Sequence, residues 1–205
     1  MRTTTTITPL FLLLLALAPA QPAPTPPRQP TTQAAIEAIM PTSTTCAPAT
    51  AECRTAAQAA PFFAAAFARH GAGAPAQQAA VLAWVGLESA ELKYKHNVVP
   101  GRAGQGTSAM LMPAWVAEYA GAVGAGAVGA DADPVAVLAL VTPDEYNFGS
   151  GPWFLATQCA PAMAALGEGG EGVDEAFAAF MACVGTAMTD ERRAYWERAK
   201  AVFGL

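Results

Sequence analysis

Alanine-rich runs, broken at intervals by proline and glycine, set what this chain can fold into. From about Ala34 onward such runs dominate, and alanine is the residue that enters a helix at least cost. Proline is tolerated in a first helical turn, where its missing N–H had no partner. Pro61, Pro75, Pro113, Pro134 and Pro152 each stand ahead of an apolar run of helical period. Asp133-Pro134 reads as an N-cap and first-turn pair, and Thr189-Asp190-Glu191 opens a last helix with acidic residues. Two glycine-rich stretches, 121–129 and 167–172, read as loops between helices. The segment Asn97 to Ala109, with Val98-Val99, Pro100-Gly101 and Gly104-Gln105-Gly106, is the one place for a small β-hairpin or irregular excursion. The expected fold is mostly α, a single helical domain over 34–205.

The first residues have a different logic. Arg2, the apolar run Leu10 to Leu17 and the small residues Ala18-Pro19-Ala20 have the layout of a secretory signal peptide over 1–20. The run is shorter than the roughly 20 residues of a spanning helix, so no membrane association is expected after cleavage. Residues 21–33 (QPAPTPPRQPTTQ) read as an extended Pro/Thr-rich linker. A secreted, extracellular protein follows. Lys and Arg number 11 against 16 Asp and Glu, a net charge of −5 with no basic block, so a nucleic-acid partner is not expected.

Secretion decides how the cysteines are read. Four cysteines in an oxidising compartment imply two disulfides, and four allow three connectivities. Pairs between sequence neighbours, Cys46–Cys53 and Cys159–Cys183, are preferred, the second tying two C-terminal helices. A zinc site has little to build on, since His70 and His96 are the only histidines and no CxxC spacing occurs. No metal and no cofactor are expected.

One carboxylate stands out in a chain with only 13% charged residues. With Pro75 to Leu92 taken as one helix at about 100° per residue, Glu88 falls between Trp84 and Val81 on the apolar arc. Apolar surroundings disfavour the charged form of a carboxyl, which is what a general acid needs. The plainer alternative is a boundary glutamate reaching water or a backbone N–H. The following Lys93, Lys95 and His96 either bind an anionic or acetamido-bearing ligand or complement the helix C-terminus. The last helix, Thr189 to Phe203, reads as an amphipathic cap. Its Arg192, Arg193 and Arg198 point outward and it carries no chemistry.

Three segments occur in a telling order. Glu88-Ser89-Ala90-Glu91-Leu92 ends a helix, Met110-Leu111-Met112-Pro113 opens another after a glycine-containing loop, and Asn147-Phe148-Gly149-Ser150-Gly151-Pro152-Trp153-Phe154-Leu155 follows. Together, over about 75–160, they resemble the lysozyme-like superfamily, most closely its soluble lytic transglycosylase branch. That branch has a helix-terminal Glu-Ser, then Gly-Leu-Met-Gln-x-Met-Pro, then Asn-Ile-x-x-Gly-x-x-Tyr-Leu. The motif's Gln has no direct counterpart, because Met110 or Leu111 stands there and Gln105 lies earlier. The family's last motif, Ala-Tyr-Asn-x-Gly-x-Gly, is degenerate.

The resemblance implies a lysozyme-like, disulfide-stabilised helical domain that cleaves β-1,4-linked aminosugar polymers of the chitin or peptidoglycan type. Glu88 would protonate the leaving oxygen. Glu91, Glu118, Asp144 and Glu145 are candidates for a second carboxylate, and a lone acid would fit substrate-assisted chemistry or transglycosylation. Tyr94, Gln105, Tyr146 and Asn147 are the candidate sugar contacts; Trp115, Tyr119, Trp153 and Phe154 either stack on sugar rings or pack the core. A non-catalytic secreted protein of the same shell, binding wall glycans or a protein partner, is the alternative reading. An unrelated helical structural protein is a third.

Overall fold

The computed structural model describes Met1 and residues 29–46, 51–126, 128–129 and 131–205. The signal peptide expected at 1–20 and most of the linker expected at 21–33 lie outside these residues. The fold is mostly helical, as the alanine runs require. In chain order the helices are α1 (Thr32–Ile39), α2 (Ala56–Arg69), α3 (Pro75–Glu88), α4 (Pro113–Ala122), α5 (Pro134–Val141), the single turn α6 (Asp144–Asn147), α7 (Ser150–Thr157), α8 (Ala160–Glu168), α9 (Val173–Val184) and α10 (Asp190–Phe203). α1 is capped by the Thr31 hydroxyl, which accepts from the Ala34 N–H. Among the described residues no helix is long and apolar enough to cross a membrane.

The helix starts follow local chemistry. Pro75, Pro113 and Pro134 occupy first turns, Asp133 accepts from the Val135 N–H, and the Thr189 hydroxyl accepts from the Arg192 N–H. Pro61 departs from its expected place at a helix start and lies inside α2. The reason is a stronger signal upstream: Thr55 and Gln58 form a reciprocal capping box that starts the helix at Ala56. Pro61 and Ala57 are both exposed, so the Ala57 carbonyl that loses its helical partner can turn to water. Pro152 lies in the first turn of α7, ahead of Trp153-Phe154-Leu155.

α3 is the axis of the molecule. Every residue from Ala79 to Gly86 is buried, so the helix has no polar face along this stretch. It packs against α10, α8, α7 and α1. Glycines set two of these approaches. A Cβ on Gly86 would come within 2.9 Å of the Tyr195 ring on α10, and one on Gly151 within 3.1 Å of Val81. Trp196 and Phe177 stack at 4.3 Å between ring centroids and join α10 to α9. Trp84 meets the edge of Phe180 at 5.3 Å in the core beside them.

Both preferred disulfides are present. Cys46–Cys53 and Cys159–Cys183 have Cα separations of 5.8 and 6.0 Å, and the second ties the start of α8 to α9. The excursion between α3 and α4 is irregular rather than a hairpin of two strands. Antiparallel bridges join His96 to Gly106 and Gly106 to Leu111, and no longer ladder forms there. Gly106 lets the bridged segments meet, since a Cβ there would stand 2.5 Å from the Lys95 carbonyl oxygen.

Candidate functional site

α3 ends abruptly, four residues short of the Leu92 expected from periodicity. The Ser89 hydroxyl donates to the Val85 carbonyl at 2.7 Å and accepts from the Leu92 N–H at 2.8 Å. A serine that bonds the backbone in this way competes with helix continuation. Ala90, Glu91 and Leu92 then take left-handed backbone angles, with φ of 49, 59 and 69°. This turn leaves Glu88 as the last helical residue, at the rim of the core instead of in the middle of an apolar face.

Glu88 lies where two cavities meet. One, of about 220 Å³, is also lined by Trp84, Trp115, Phe154 and Arg192. The other, of about 300 Å³, is also lined by Tyr94, His96 and Asn97. Gln105 and Met110 line both. A third, of about 320 Å³, continues past His96, Asn97 and Gln105 to Arg102, Val135 and Leu138. Adjacent cavities share walls, so they form a row that passes Glu88 and runs along the excursion between α3 and α4.

The structure brings Glu88, Gln105 and Tyr94 to this row. Gln105 is fixed on both ends of its amide: its oxygen accepts from Asn97 Nδ2 at 3.0 Å, and its nitrogen donates to the Met110 carbonyl at 3.1 Å. Tyr94 is exposed at the rim. Tyr146 and Asn147 are not among the lining residues of the row. Asn147 is buried, and its carbonyl accepts from the hydroxyls of Ser108 and Ser150, each at 2.9 Å. The Tyr146 carbonyl accepts from the Tyr119 hydroxyl at 2.7 Å. These two therefore join the turn before α7 to α4 and to the loop that carries Gln105. Tyr119, Trp153 and Phe154 are core residues, while Trp115 is half-buried at the cavity wall.

Arg192 is the residue that sequence reasoning missed. It was expected to point outward, yet Nη2 donates to Glu88 Oε1 at 2.6 Å, with the two side chains only 12% and 22% exposed. The signal was available. Arg192 is one turn before Trp196, on the same stripe as Ala199 and Phe203, all three buried. Among the described residues, Glu88 Oε2 has no protein partner. Arg192 Nε and Trp84 Nε1 are both buried without an acceptor.

The candidates for a second carboxylate are mostly committed elsewhere. Glu91 accepts from the Thr42 N–H and from the Tyr195 hydroxyl. Glu118 accepts from Gln158, and Glu145 is exposed and lines none of the three cavities. Asp144 holds Lys95 at 2.5 Å and Arg54 at 2.7 Å. Burial pushes its carboxyl up, but the hydrogen bonds and charges of Lys95 and Arg54 outweigh that and hold it below the usual carboxylate value. Lys95 is thus buried in a structural ion pair and not offered to a ligand. His96, which lines two of the cavities, is paired from behind with Glu52: Oε1 meets Nδ1 at 2.5 Å, while Oε2 accepts from the Lys95 N–H. Glu52 precedes Cys53, so the Cys46–Cys53 disulfide fastens the carboxylate that orients His96. Among the described residues, no cluster of His, Cys, Asp or Glu is placed to hold a metal ion.

The chain matches no family model and no solved structure. Among curated proteins it is similar to a bifunctional dioxygenase (DOX)-epoxy alcohol synthase (EAS) of Fusarium oxysporum (strain Fo5176), 41% identical over 159 residues. The match covers 72% of this chain but 12% of that protein, so the chain corresponds to a small part of its relative.

Proposed function

We propose that the chain is a secreted, lysozyme-like protein that cleaves β-1,4-linked aminosugar polymers, with Glu88 as general acid. The observation that carries this reading is the row of three cavities with Glu88 at a shared wall. A linear polymer needs successive sites side by side, and a cleaving acid belongs between two of them. A small substrate is better served by one enclosed pocket.

Local geometry supports the resemblance at one further point. Counting back along Gly-Leu-Met-Gln-x-Met-Pro from Met112-Pro113 brings the motif's glycine to Thr107, which has a φ of 65°. Glycine adopts that conformation freely, whereas threonine does so at a cost. The motif's Gln falls on Met110, while the amide that reaches the row comes from Gln105, five residues earlier. The signal-peptide layout and the two disulfides support export to an oxidising compartment.

In this reading Glu88 hands its proton to the glycosidic oxygen as the C–O bond breaks, and the aglycone leaves as an alcohol. Arg192 is then a partner of the carboxylate that remains. The second group is either the substrate's own acetamido or hydroxyl, or a water deprotonated by His96, which Glu52 holds in place. The dioxygenase and epoxy alcohol synthase activities named for the relative belong to a protein of which this chain spans 12%, and they are not carried across.

The ion pair with Arg192 favours a second reading, glycan binding without cleavage, because one oxygen of the Glu88 carboxylate is already committed to a structural contact with α10. The experiment is to incubate wild type and Glu88→Gln with N-acetylglucosamine oligomers and with peptidoglycan, following products by mass. Cleavage by wild type alone supports the enzymatic reading. Equal cleavage by both proteins removes Glu88 from the chemistry. Binding with no products on either substrate leaves the non-catalytic reading.

A further inference from the structure

The hydrophobic side chains that this protein leaves in water are not scattered. Among the described residues seven large ones are exposed, and two of these, Met1 and Leu205, are chain ends. The other five, Tyr94, Val98, Val99, Met112 and Val135, all line the row of cavities that passes Glu88. Val99 is 84% exposed, and Val135, in the first turn of α5, is 53% exposed. Single exposed apolar residues are ordinary, but a set confined to one groove marks a surface that receives something apolar. Behind this rim Leu87, Leu111, Trp115 and Leu138 continue the apolar wall.

The polar groups decide what kind of apolar molecule fits. Asn97 and Gln105, which stand where cavities adjoin, spend their amides on one another, on the Gly101 N–H and on the Met110 carbonyl. An extended peptide would need partners for its own backbone along the row, whereas an alkyl chain needs none. Arg102 is the group left over. It is exposed, lines the cavity of about 320 Å³ together with Val98 and Val135, and has no carboxylate partner among the described residues. Its Nη1 is directed at the Met112 sulfur, 3.5 Å away, which is a weak acceptor. A guanidinium takes a carboxylate on two parallel N–H groups. We infer that the row holds a fatty acid, with its carboxylate on Arg102 and its alkyl chain against the apolar rim. The inference does not rest on glycan cleavage, since neither Glu88 nor its proton takes part. A chain seated there would, however, keep a glycan out of the row.

The test titrates the full chain with octanoate, decanoate and dodecanoate below their micelle concentrations, and with 1-decanol as an uncharged control. Affinity is read by calorimetry, and the methyl resonances of Val98, Val99 and Val135 by NMR. Each added methylene is expected to tighten binding about twofold to fourfold and to shift those resonances. Arg102→Gln is expected to weaken decanoate about tenfold and to leave 1-decanol unchanged. Val135→Asp is expected to weaken both. Arg102 and Val135 are exposed, so neither replacement disturbs the core. Binding that is absent, that does not strengthen with chain length, or that ignores Arg102→Gln would overturn the inference. So would affinity for phosphatidylcholine vesicles, or a dimer in sedimentation, without affinity for decanoate, since a membrane or a second copy would then cover the rim. An N-acetylglucosamine tetramer titrated alongside separates the two readings of the row. Tetramer binding without decanoate binding overturns the fatty-acid site alone, and decanoate binding without tetramer binding supports that site and counts only against the glycan reading.

Discussion

Arg192 and Glu88 are 104 residues apart in the chain and meet at 2.6 Å, Nη2 to Oε1. The contact fastens the N-terminal turn of α10 to the last residue of α3, and both side chains are largely withdrawn from water. A charge-assisted bond in that setting is worth more than a surface pair, about 1.5–3 kcal/mol. In a thermodynamic cycle of Arg192→Met, Glu88→Gln and the double variant, urea unfolding should show a coupling energy of about 1–3 kcal/mol. Additive effects would mean that the two side chains do not interact in solution.

Asp144 makes an analogous claim about acid. Burial opposes its ionisation, and Lys95 and Arg54 more than compensate, so its folded value lies below the ordinary 3.8. A carboxyl with a depressed value contributes stability that is fully present above its unfolded value and is lost as pH falls through the folded one. Wild type should therefore lose melting temperature more steeply than Asp144→Asn as pH drops from about 5 to about 2. Parallel curves would show that the Lys95–Asp144–Arg54 cluster does not form. Asp144→Asn should also be the less stable protein at pH 7, since it leaves Lys95 buried beside a neutral partner.

The two disulfides differ in the length of chain they close. Their partners are 7 and 24 residues apart. By loop-closure entropy, Cys46–Cys53 should contribute about 2.5 kcal/mol and Cys159–Cys183 about 3.5 kcal/mol. Replacing each pair by alanine and measuring unfolding in urea should reproduce that order. Both loops also reach the cavity row: Glu52, which orients His96, sits beside Cys53, and Val184, Gly185 and Thr186, which line the cavity beside Glu88, follow Cys183. In the glycan reading, either double alanine variant should weaken binding or turnover.

What could be read from the sequence was what is decided locally. Pro75, Pro113 and Pro134 at helix starts, Asp133 and Thr189 as caps, and neighbouring cysteines as pairs all depend on residues a few positions apart. Glu88 was legible as a carboxylate on an apolar helix because the chain has so few charges. The unread features depend on distant contacts. α3 is apolar all round since other helices cover it on every side, so periodicity could not choose its inner face. The hydroxyl of Ser89 ended that helix where its pattern continued. Arg192 faces inward because α10 lies along α3; its place on the stripe of Trp196, Ala199 and Phe203 separates it from the exposed Arg193, but its partner Glu88 lies 104 residues away.

The α3–α10 contact should also limit the protein in alkali. Burial raises the Tyr195 phenol, and the hydrogen bond and charge of Glu91 add to it, so that it is pushed up to about 12. An unfolded tyrosine ionises near 10. Below pH 10 both states keep the proton and the contact contributes fully. Between about 10 and 12 the unfolded chain gives up its proton while the native one retains it, so stability falls as pH rises. Tyr195 packs over Gly86 and bonds Glu91 at 2.9 Å, so ionising it would place a phenolate against a carboxylate at the end of α3. Tyr195→Phe keeps the ring against Gly86 and removes the ionisable group. It should be somewhat less stable than wild type at pH 7 for want of the hydrogen bond, and should lose less melting temperature between pH 9.5 and 11.5. Tyr119, which burial also raises, is present in both proteins and cancels in the comparison. If the two proteins lose stability in step across that range, Tyr195 does not hold its proton against Glu91, and the closure of α10 over α3 rests on packing alone.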